Sequence, residues 1–325
     1  MTDDRILVTR RPPGRALDML ATAGQLDLWV EDREIPRAVL EERVGKATGL
    51  YSMLTDRIDA ALLEHAPRLR VISQMAVGVD NIDLGACTVR GIPVGNTPDV
   101  LTETVADTTF GLLIAGARRF VEGIDYVRAG NWRRWEPDLL FGHDVHGSVL
   151  GIIGMGRVGR AVARRAVAFD MRVLYSGRSA KPEAADLGAE HVPLDRLLAL
   201  SDHVVVTTAL TGDTRHIIDA AALATMKQTA TLVNVSRGGC VDTAALVHAL
   251  RNGDIAAAAL DVTDPEPLPG DHELLELPNC LVIPHLGSSS AATREAMAEL
   301  AAENLVAGLE GVRMTAVANP EVYDG

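Results

Sequence analysis

The stretch VLGIIGMGRVGRAVARRA, Val149 to Ala166, decides the fold. Its opening VLGII is an apolar run of the length of one buried strand. Gly154, Gly156 and Gly159 follow in the spacing G-x-G-x-x-G, with Met155, Arg157 and Val158 between them. Val158, Val162 and Ala166 then recur at helical spacing. The first glycine permits a tight turn and the second lets a pyrophosphate approach the backbone. The third lets helix and strand pack closely. The helix start adds positive partial charge where phosphate would sit. Strand, glycine loop and helix in that order predict a dinucleotide-binding βαβ unit.

The same alternation runs outward in both directions. Downstream, strands are expected near Arg172–Tyr175, His203–Thr207, Thr231–Val235, Ala256–Leu260 and Leu281–Ile283, with short helices between them. Upstream, Ile6–Thr9, Leu28–Val30, Gly49–Leu54, Leu69–Val77 and Ile92–Asn96 read as strands. Helices over Ala16–Ala23 and Pro36–Val44 alternate with them. Thr102–Arg119 and Val121–Ala129 carry helical spacing. Ser288–Gly311 reads as one long helix, serine-capped at its start and glycine-capped at its end, long enough to return toward the first domain. The implied class is α/β, with mostly parallel sheets covered by helices on both faces. At 325 residues the chain has room for about two domains of ordinary size.

Composition supports this and removes other classes. Apolar residues make up 47% of the chain and aromatics only 3%, which suits Ala/Leu/Val-rich buried parallel strands. Lys and Arg total 31 against 44 Asp and Glu, a net charge of −13 that disfavours nonspecific nucleic-acid binding. Cys87, Cys240 and Cys280 fall in no disulfide or metal spacing. His143 and His146 stand three apart in a loop-like segment, weak support for a metal site, and no metal is expected. The N-terminus MTDDRILVTR lacks a basic-then-apolar signal, and no apolar run approaches the roughly 20 residues of a membrane span. A cytoplasmic protein is expected.

Two sets of residues carry chemistry. At the end of the second strand of the dinucleotide unit, where an NAD site usually places an acidic residue for the ribose, the sequence has Ser176-Gly177-Arg178-Ser179. An acidic side chain would repel a 2′-phosphate, whereas arginine and hydroxyls bind it by charge-assisted hydrogen bonds. NADP(H) is therefore expected over NAD(H), with Lys181 adding charge and NAD(H) still possible. The second set is Arg237, Glu266 and His285, each just beyond an expected strand end, where ligands of open parallel sheets bind. Hydride transfer to a carbonyl leaves negative charge on its oxygen, so a proton donor is needed. A carboxylate beside a histidine orients the ring and favours its protonated form. An arginine grips a carboxylate in two-pronged fashion. His285 is read as acid/base, Glu266 as its partner and Arg237 as substrate anchor. Between these sets lies NWRRWEPDLL, residues 131–140, whose Trp132 and Trp135 read either as ordinary packing or as an interface arm or pocket lid.

These residues make the chain resemble the D-isomer-specific 2-hydroxyacid dehydrogenases along nearly its whole length. MAVGVDNID (75–83), GNTPDVLTETVADTTFGLLIAGARR (95–119), the GMGRVG loop, NVSRGG (234–239), LDVTDPEPLP (260–269) and IPHLGSSS (283–290) carry the likeness. NTPDVLTETVAD, NWRRWEPDLL, the YSGR strand ending and DVTDPEPLP resemble the glyoxylate/hydroxypyruvate reductase branch. The resemblance implies two Rossmann/flavodoxin-like doubly wound domains with the active site in the cleft. Residues 1–100 and 288–325 would form the substrate domain, and 101–287 the dinucleotide domain. It places the family's arginine, glutamate and histidine on Arg237, Glu266 and His285. It implies that backbone at Val77 and Gly78 holds the substrate carboxylate and that Leu54 lines the pocket. Thr104 and Asp261 would meet the nicotinamide end, and Val235, Ser236, Arg237, His285 and Gly287 would border the cofactor. Trp135 would reach the partner subunit's site in a homodimer.

The activity implied is NADPH-dependent reduction of glyoxylate and hydroxypyruvate. The alternatives are an NADH-linked enzyme acting on another 2-oxo acid, such as 2-ketogluconate or phosphohydroxypyruvate, and a dinucleotide-sensing binding protein. Formate dehydrogenases of the family carry glutamine where Glu266 stands, which argues against that activity.

Overall fold

The computed structural model describes residues 3–324. The chain divides into two compact units, Met1–Leu101 with Ser290–Gly325, and Thr102–Ser289. The first unit is built on a five-stranded parallel sheet. Its strands are β1 (Arg5–Val8), β2 (Gln25–Leu28), β3 (Gly49–Ser52), β4 (Val71–Gln74) and β5 (Val94–Gly95), in the order β2-β1-β3-β4-β5. Side chains alternate across a strand, so Ile6 and Val8 face one side and Leu7 the other. Ile6, Val8, Tyr51 and Val71 pack under the helices Ala16–Ala23 and Ala291–Leu309, through Leu20, Met297, Ala301 and Leu305. Leu7, Leu50 and Ile72 face Leu40, Val44, Leu62 and Leu63. The C-terminal segment is thus part of this unit's core, and the buried Tyr51 hydroxyl donates to the Ala298 carbonyl at 3.1 Å.

The second unit holds seven parallel strands in the order β12-β11-β10-β9-β6-β7-β8. They are β6 (Val149–Ile153), β7 (Arg172–Ser176), β8 (Glu190–His191), β9 (His203–Val206), β10 (Thr231–Asn234), β11 (Ala257–Leu260) and β12 (Cys280–Val282). Strand order reverses between β6 and β9, and a crevice outside the carboxyl ends at such a point is where ligands bind. Register aligns those ends in one row: Val282, Leu260, Asn234, Val206, Ile153 and Ser176. Both sheets are parallel and helix-covered, as the strand–helix alternation predicts.

Several elements differ from the sequence reading. β3, β4 and β5 are shorter than the runs Gly49–Leu54, Leu69–Val77 and Ile92–Asn96, and the short helices Ala60–Glu64 and Leu84–Val89 were not expected. Three further elements also differ. The strand expected at Leu28–Val30 lies instead at Gln25–Leu28, and Val30 is exposed beyond it. This is an edge strand with half-exposed residues, so pairing with β1 (Arg5↔Gln25 to Val8↔Leu28) sets its position rather than an apolar run. β8, two exposed residues long, has no apolar signal and exists only through its pairing with Leu174 and Tyr175. The long helix starts where serine predicts it, with Ser290 accepting from the Thr293 N–H. It ends at Leu309 with Glu310 at the cap and Gly311 beyond it at φ 73°. Among the described residues no helix is long and apolar enough to cross a membrane, and Cys87, Cys240 and Cys280 are buried and joined in no disulfide.

Candidate active site

The row of strand ends in the second unit carries a glycine loop at one place. Gly154 follows β6 at φ 101°, a backbone state that side-chain-bearing residues rarely adopt. Its N–H donates to the Ser176 carbonyl at 2.9 Å, and its carbonyl accepts from the Thr207 hydroxyl at 2.6 Å. A Cβ on Gly159 would sit 2.2 Å from the Gly154 oxygen, so helix and loop meet as closely as they do only because that carbon is missing. Gly156 faces open space and opens the helix Arg157–Ala168 without a side-chain cap. An uncapped helix start beside an open glycine suits a pyrophosphate. These residues fit a nicotinamide dinucleotide.

Four strands along, at the edge of the sheet, the histidine loop leaves β12. His285 holds φ 53°, unusual for a non-glycine residue, and its N–H donates to the Asp261 carbonyl at 2.9 Å. The Asp261 carboxylate accepts the next two backbone N–H groups, Leu286 at 2.6 Å and Gly287 at 2.9 Å. Asp261 is 2% exposed, and its burial raises the carboxyl above its ordinary range although the Leu286 N–H pulls it back. The Thr108 hydroxyl, one turn after Thr104, lies 3.1 Å from the Gly287 carbonyl. His285 Nδ1 is 2.6 Å from Glu266 Oε1. Burial pushes the Glu266 carboxyl up. The hydrogen bond and charge of His285, the Thr263 N–H and the charge of Arg237 outweigh that, leaving it below the usual glutamate range. An ionised carboxylate only accepts, so Nδ1 carries the hydrogen of this bond. Any proton transfer from this ring then runs through Nε2.

Arg237 joins this group from the end of β10. Asn234, 1% exposed, accepts the Ser236 N–H at 3.1 Å and donates to the Arg237 carbonyl at 2.8 Å, which fixes the turn. A Cβ on the next residue, Gly238, would fall 1.9 Å from the Thr263 oxygen, so the arginine turn lies directly against the loop that carries Glu266.

In the first unit, the segment after β4 holds Val77 and Gly78. Asn96 Nδ2 donates to the Val77 carbonyl at 2.9 Å, and Gln74 Nε2 donates to the Gly78 carbonyl at 2.6 Å. Gln74 and Asn81 are paired amide to amide at 2.8 and 2.9 Å. Both carbonyls are occupied, while neither the Val77 nor the Gly78 N–H has an acceptor among the described residues. Leu54 is half-buried in the same unit.

Residues 110–287 match the D-isomer specific 2-hydroxyacid dehydrogenase, NAD binding domain. A glyoxylate reductase of Thermococcus gammatolerans is 47% identical over 323 residues, covering 98% of this chain and 96% of that protein. One from Korarchaeum cryptofilum is 49% identical over 320 residues, with 98% and 96% covered. The chain belongs to the D-isomer specific 2-hydroxyacid dehydrogenase family. It is an NAD(P)-dependent oxidoreductase. The sequence resemblance therefore holds at the level of the family. Among solved structures, a protein of Thermus thermophilus superposes with a TM-score of 0.91 at 48% identity, covering 97% of this chain and 99% of that one. An NADPH-dependent glyoxylate/hydroxypyruvate reductase of Sinorhizobium meliloti, solved with NADP and malonate, gives 0.88 at 33% identity, with 98% of each chain covered.

Within this dehydrogenase the second unit brings His285, Glu266, Arg237, Asp261 and Gly287 together, and the glycine loop and Ser176 share their row of strand ends. Arg178 and Ser179 are exposed on the turn after β7. Trp135 is 80% exposed on a segment without helix or strand between Arg128 and Val149. Among the described residues no cluster of His, Cys, Asp or Glu could hold a metal. Sequence reasoning missed the supports: Thr207 under Gly154, Asn234 under Arg237, and the Gln74–Asn81–Asn96 set under Val77 and Gly78. Their one signal is a polar residue ending or following an apolar strand, as in TLVN and VVVT.

Proposed function

We propose that the protein reduces glyoxylate and hydroxypyruvate to glycolate and D-glycerate with NADPH. The observation that carries the reading is the His285–Glu266 pair at 2.6 Å, with the charge of Arg237 acting on Glu266. A bound reduced dinucleotide supplies the hydride. Glu266 accepts from Nδ1 and fixes the imidazole plane. His285 gives its Nε2 proton to the carbonyl oxygen as negative charge develops there, and takes it back in the reverse direction. Arg237 grips the substrate carboxylate. The same reading gives the N–H groups of Val77 and Gly78 a share of that carboxylate and gives Leu54 the pocket wall. Residues 1–100 and 288–325 then serve the substrate, and 101–287 the cofactor. Thr104, Asp261 and Gly287 border the nicotinamide end, and Met155, Arg157, Val158, Val235 and Ser236 line the rest of the dinucleotide.

NADPH is preferred in this reading because the turn after β7 presents Arg178, Ser179 and Lys181, all exposed, and no carboxylate before Glu183. The relatives named glyoxylate reductase, and the NADPH-dependent one solved with NADP, support both substrate and cofactor. A homodimer completes the proposal. Phe120, Ile124 and Val127 form an exposed apolar stripe on the helix Phe120–Arg128, and Trp132, Trp135 and Phe141 follow it exposed. Trp135 would reach the partner subunit's site.

Steady-state kinetics on glyoxylate, hydroxypyruvate, pyruvate, 2-ketogluconate and phosphohydroxypyruvate, each with NADPH and NADH, tests this. The highest kcat/KM is expected for glyoxylate and hydroxypyruvate with NADPH. A higher value for 2-ketogluconate or phosphohydroxypyruvate with NADH would replace the assignment, and dinucleotide binding without turnover on any acid would make the chain a sensor.

A further inference from the structure

The turn assigned above to the 2′-phosphate, Ser176 to Lys181, is held by two side chains outside that assignment. Tyr175 is buried, and its hydroxyl accepts the Lys181 N–H at 2.7 Å. Its partner across the ladder is His191 of β8. The two rings lie 5.0 Å apart at 37°. His191 Nε2 is 3.2 Å from the Gly177 carbonyl oxygen. A carbonyl oxygen only accepts, so this contact requires the tautomer with hydrogen on Nε2. The Ser176 carbonyl in turn accepts the Gly154 N–H at 2.9 Å. The turn is therefore tied at residues 176, 177 and 181, and residues 178–180 project exposed between the ties.

Donors that are ordered before a ligand arrives bind it more tightly than donors that must be ordered by it. Arginine has a long, rotamer-rich side chain, so a loose backbone beneath it adds directly to that cost. A dinucleotide without the 2′-phosphate makes no demand on Arg178 and Ser179, so the backbone ties matter for one cofactor and not for the other. We infer that Tyr175 and His191 are positioning residues for cofactor selectivity. The Lys181 N–H to Tyr175 and His191 Nε2–H to Gly177 bonds set Arg178 and Ser179 around the ribose 2′-phosphate. This rests on the NADPH reading. It also gives β8 a purpose, since both of its residues are exposed and neither is an apolar core residue.

The test compares Tyr175→Phe, His191→Ala, His191→Gln and Arg178→Ala with the unaltered protein, using fluorescence titration for the dissociation constants of NADPH and NADH. Tyr175→Phe keeps the ring and removes the acceptor. Tyr175→Phe and His191→Ala are each expected to raise the NADPH constant about three- to tenfold, as loss of one hydrogen bond allows, and the NADH constant less than about twofold. Turnover at saturating NADH stays unchanged. His191→Gln, whose amide can donate to the same carbonyl, restores the NADPH/NADH ratio to within about twofold. Equal weakening of both cofactors, or of neither, overturns the inference. Arg178→Ala separates the two levels. If it leaves the ratio unchanged, the NADPH reading falls and the tether with it. If it collapses the ratio while Tyr175→Phe and His191→Ala do not, only the tether falls.

Discussion

The two loops assigned to the substrate are supported by different chemistry. In the first unit, neutral amides hold the Val77–Gly78 segment: Gln74 and Asn96 donate to its carbonyls, and Asn81 braces Gln74. In the second unit, carboxylates hold the histidine loop: Asp261 takes two backbone N–H groups and Glu266 takes the imidazole. A loop meant to offer N–H groups to an anion gains from neutral supports, because a carboxylate there would repel the ligand. A loop meant to move a proton gains from a charged one, because the carboxylate determines which ring nitrogen carries hydrogen. Support and proposed task therefore match in each unit.

The contrast can be broken most sharply at the histidine. His285→Ala should lower kcat by about 10²–10⁴ while leaving the NADPH dissociation constant within about twofold, read by stopped-flow turnover and fluorescence titration. Near-normal turnover would remove His285 from the proton step. Gln74→Ala in the first unit should act on binding instead. KM for glyoxylate should rise about tenfold and kcat change little, since the N–H groups proposed to bind the anion lose their bracing. A fall in kcat with KM unchanged would show that this loop is not a ground-state carboxylate site. Asn96→Ala removes one support of the same loop and should raise KM by about threefold.

The smallest expected effect is on acid stability, and it sharpens the comparison because only the histidine loop is held by carboxylates rather than amides. Glu266 is held below its ordinary 4.5, so the stability it contributes is present above that value and is lost as pH falls through its folded value. Asp261 acts in the opposite direction, because burial raises its carboxyl and protonation relieves that cost as pH falls. Below pH 4.5 the Tm of the unaltered protein should therefore fall more steeply than that of Glu266→Gln. The Gln74→Ala variant should keep the parent slope in the same thermal scans. Parallel curves for Glu266→Gln and the parent would mean that the pair contributes nothing to folding.

Much of this was legible from residue order. The glycine spacing after VLGII marked the close helix–strand turn, and the polar residues after LVNVS, LDVTDP and LVIP marked the group proposed to react. The edge strands were not legible in the same way. β2 shifted from its expected place, and β8 went unseen, because pairing rather than apolar periodicity makes an edge strand. The supports escaped for a related reason. Gln74, Asn96, Asn234 and Thr207 are ordinary polar residues until the sheet register brings their partners within hydrogen-bond reach.

By itself, then, the sequence determined the α/β class and the glycine loop, and it singled out the histidine, glutamate and arginine proposed to react. Each of these depends on residue type and local spacing, which a linear chain carries in full. Only the tertiary structure decided that strand ends from Ser176 to Val282 share one row. It alone also decided that Asp261 holds the His285 loop, and that Tyr175 and His191 hold the turn beside the glycine loop. Those contacts join residues up to 25 positions apart, through backbone groups that every residue type carries, and so leave no mark on the one-dimensional pattern.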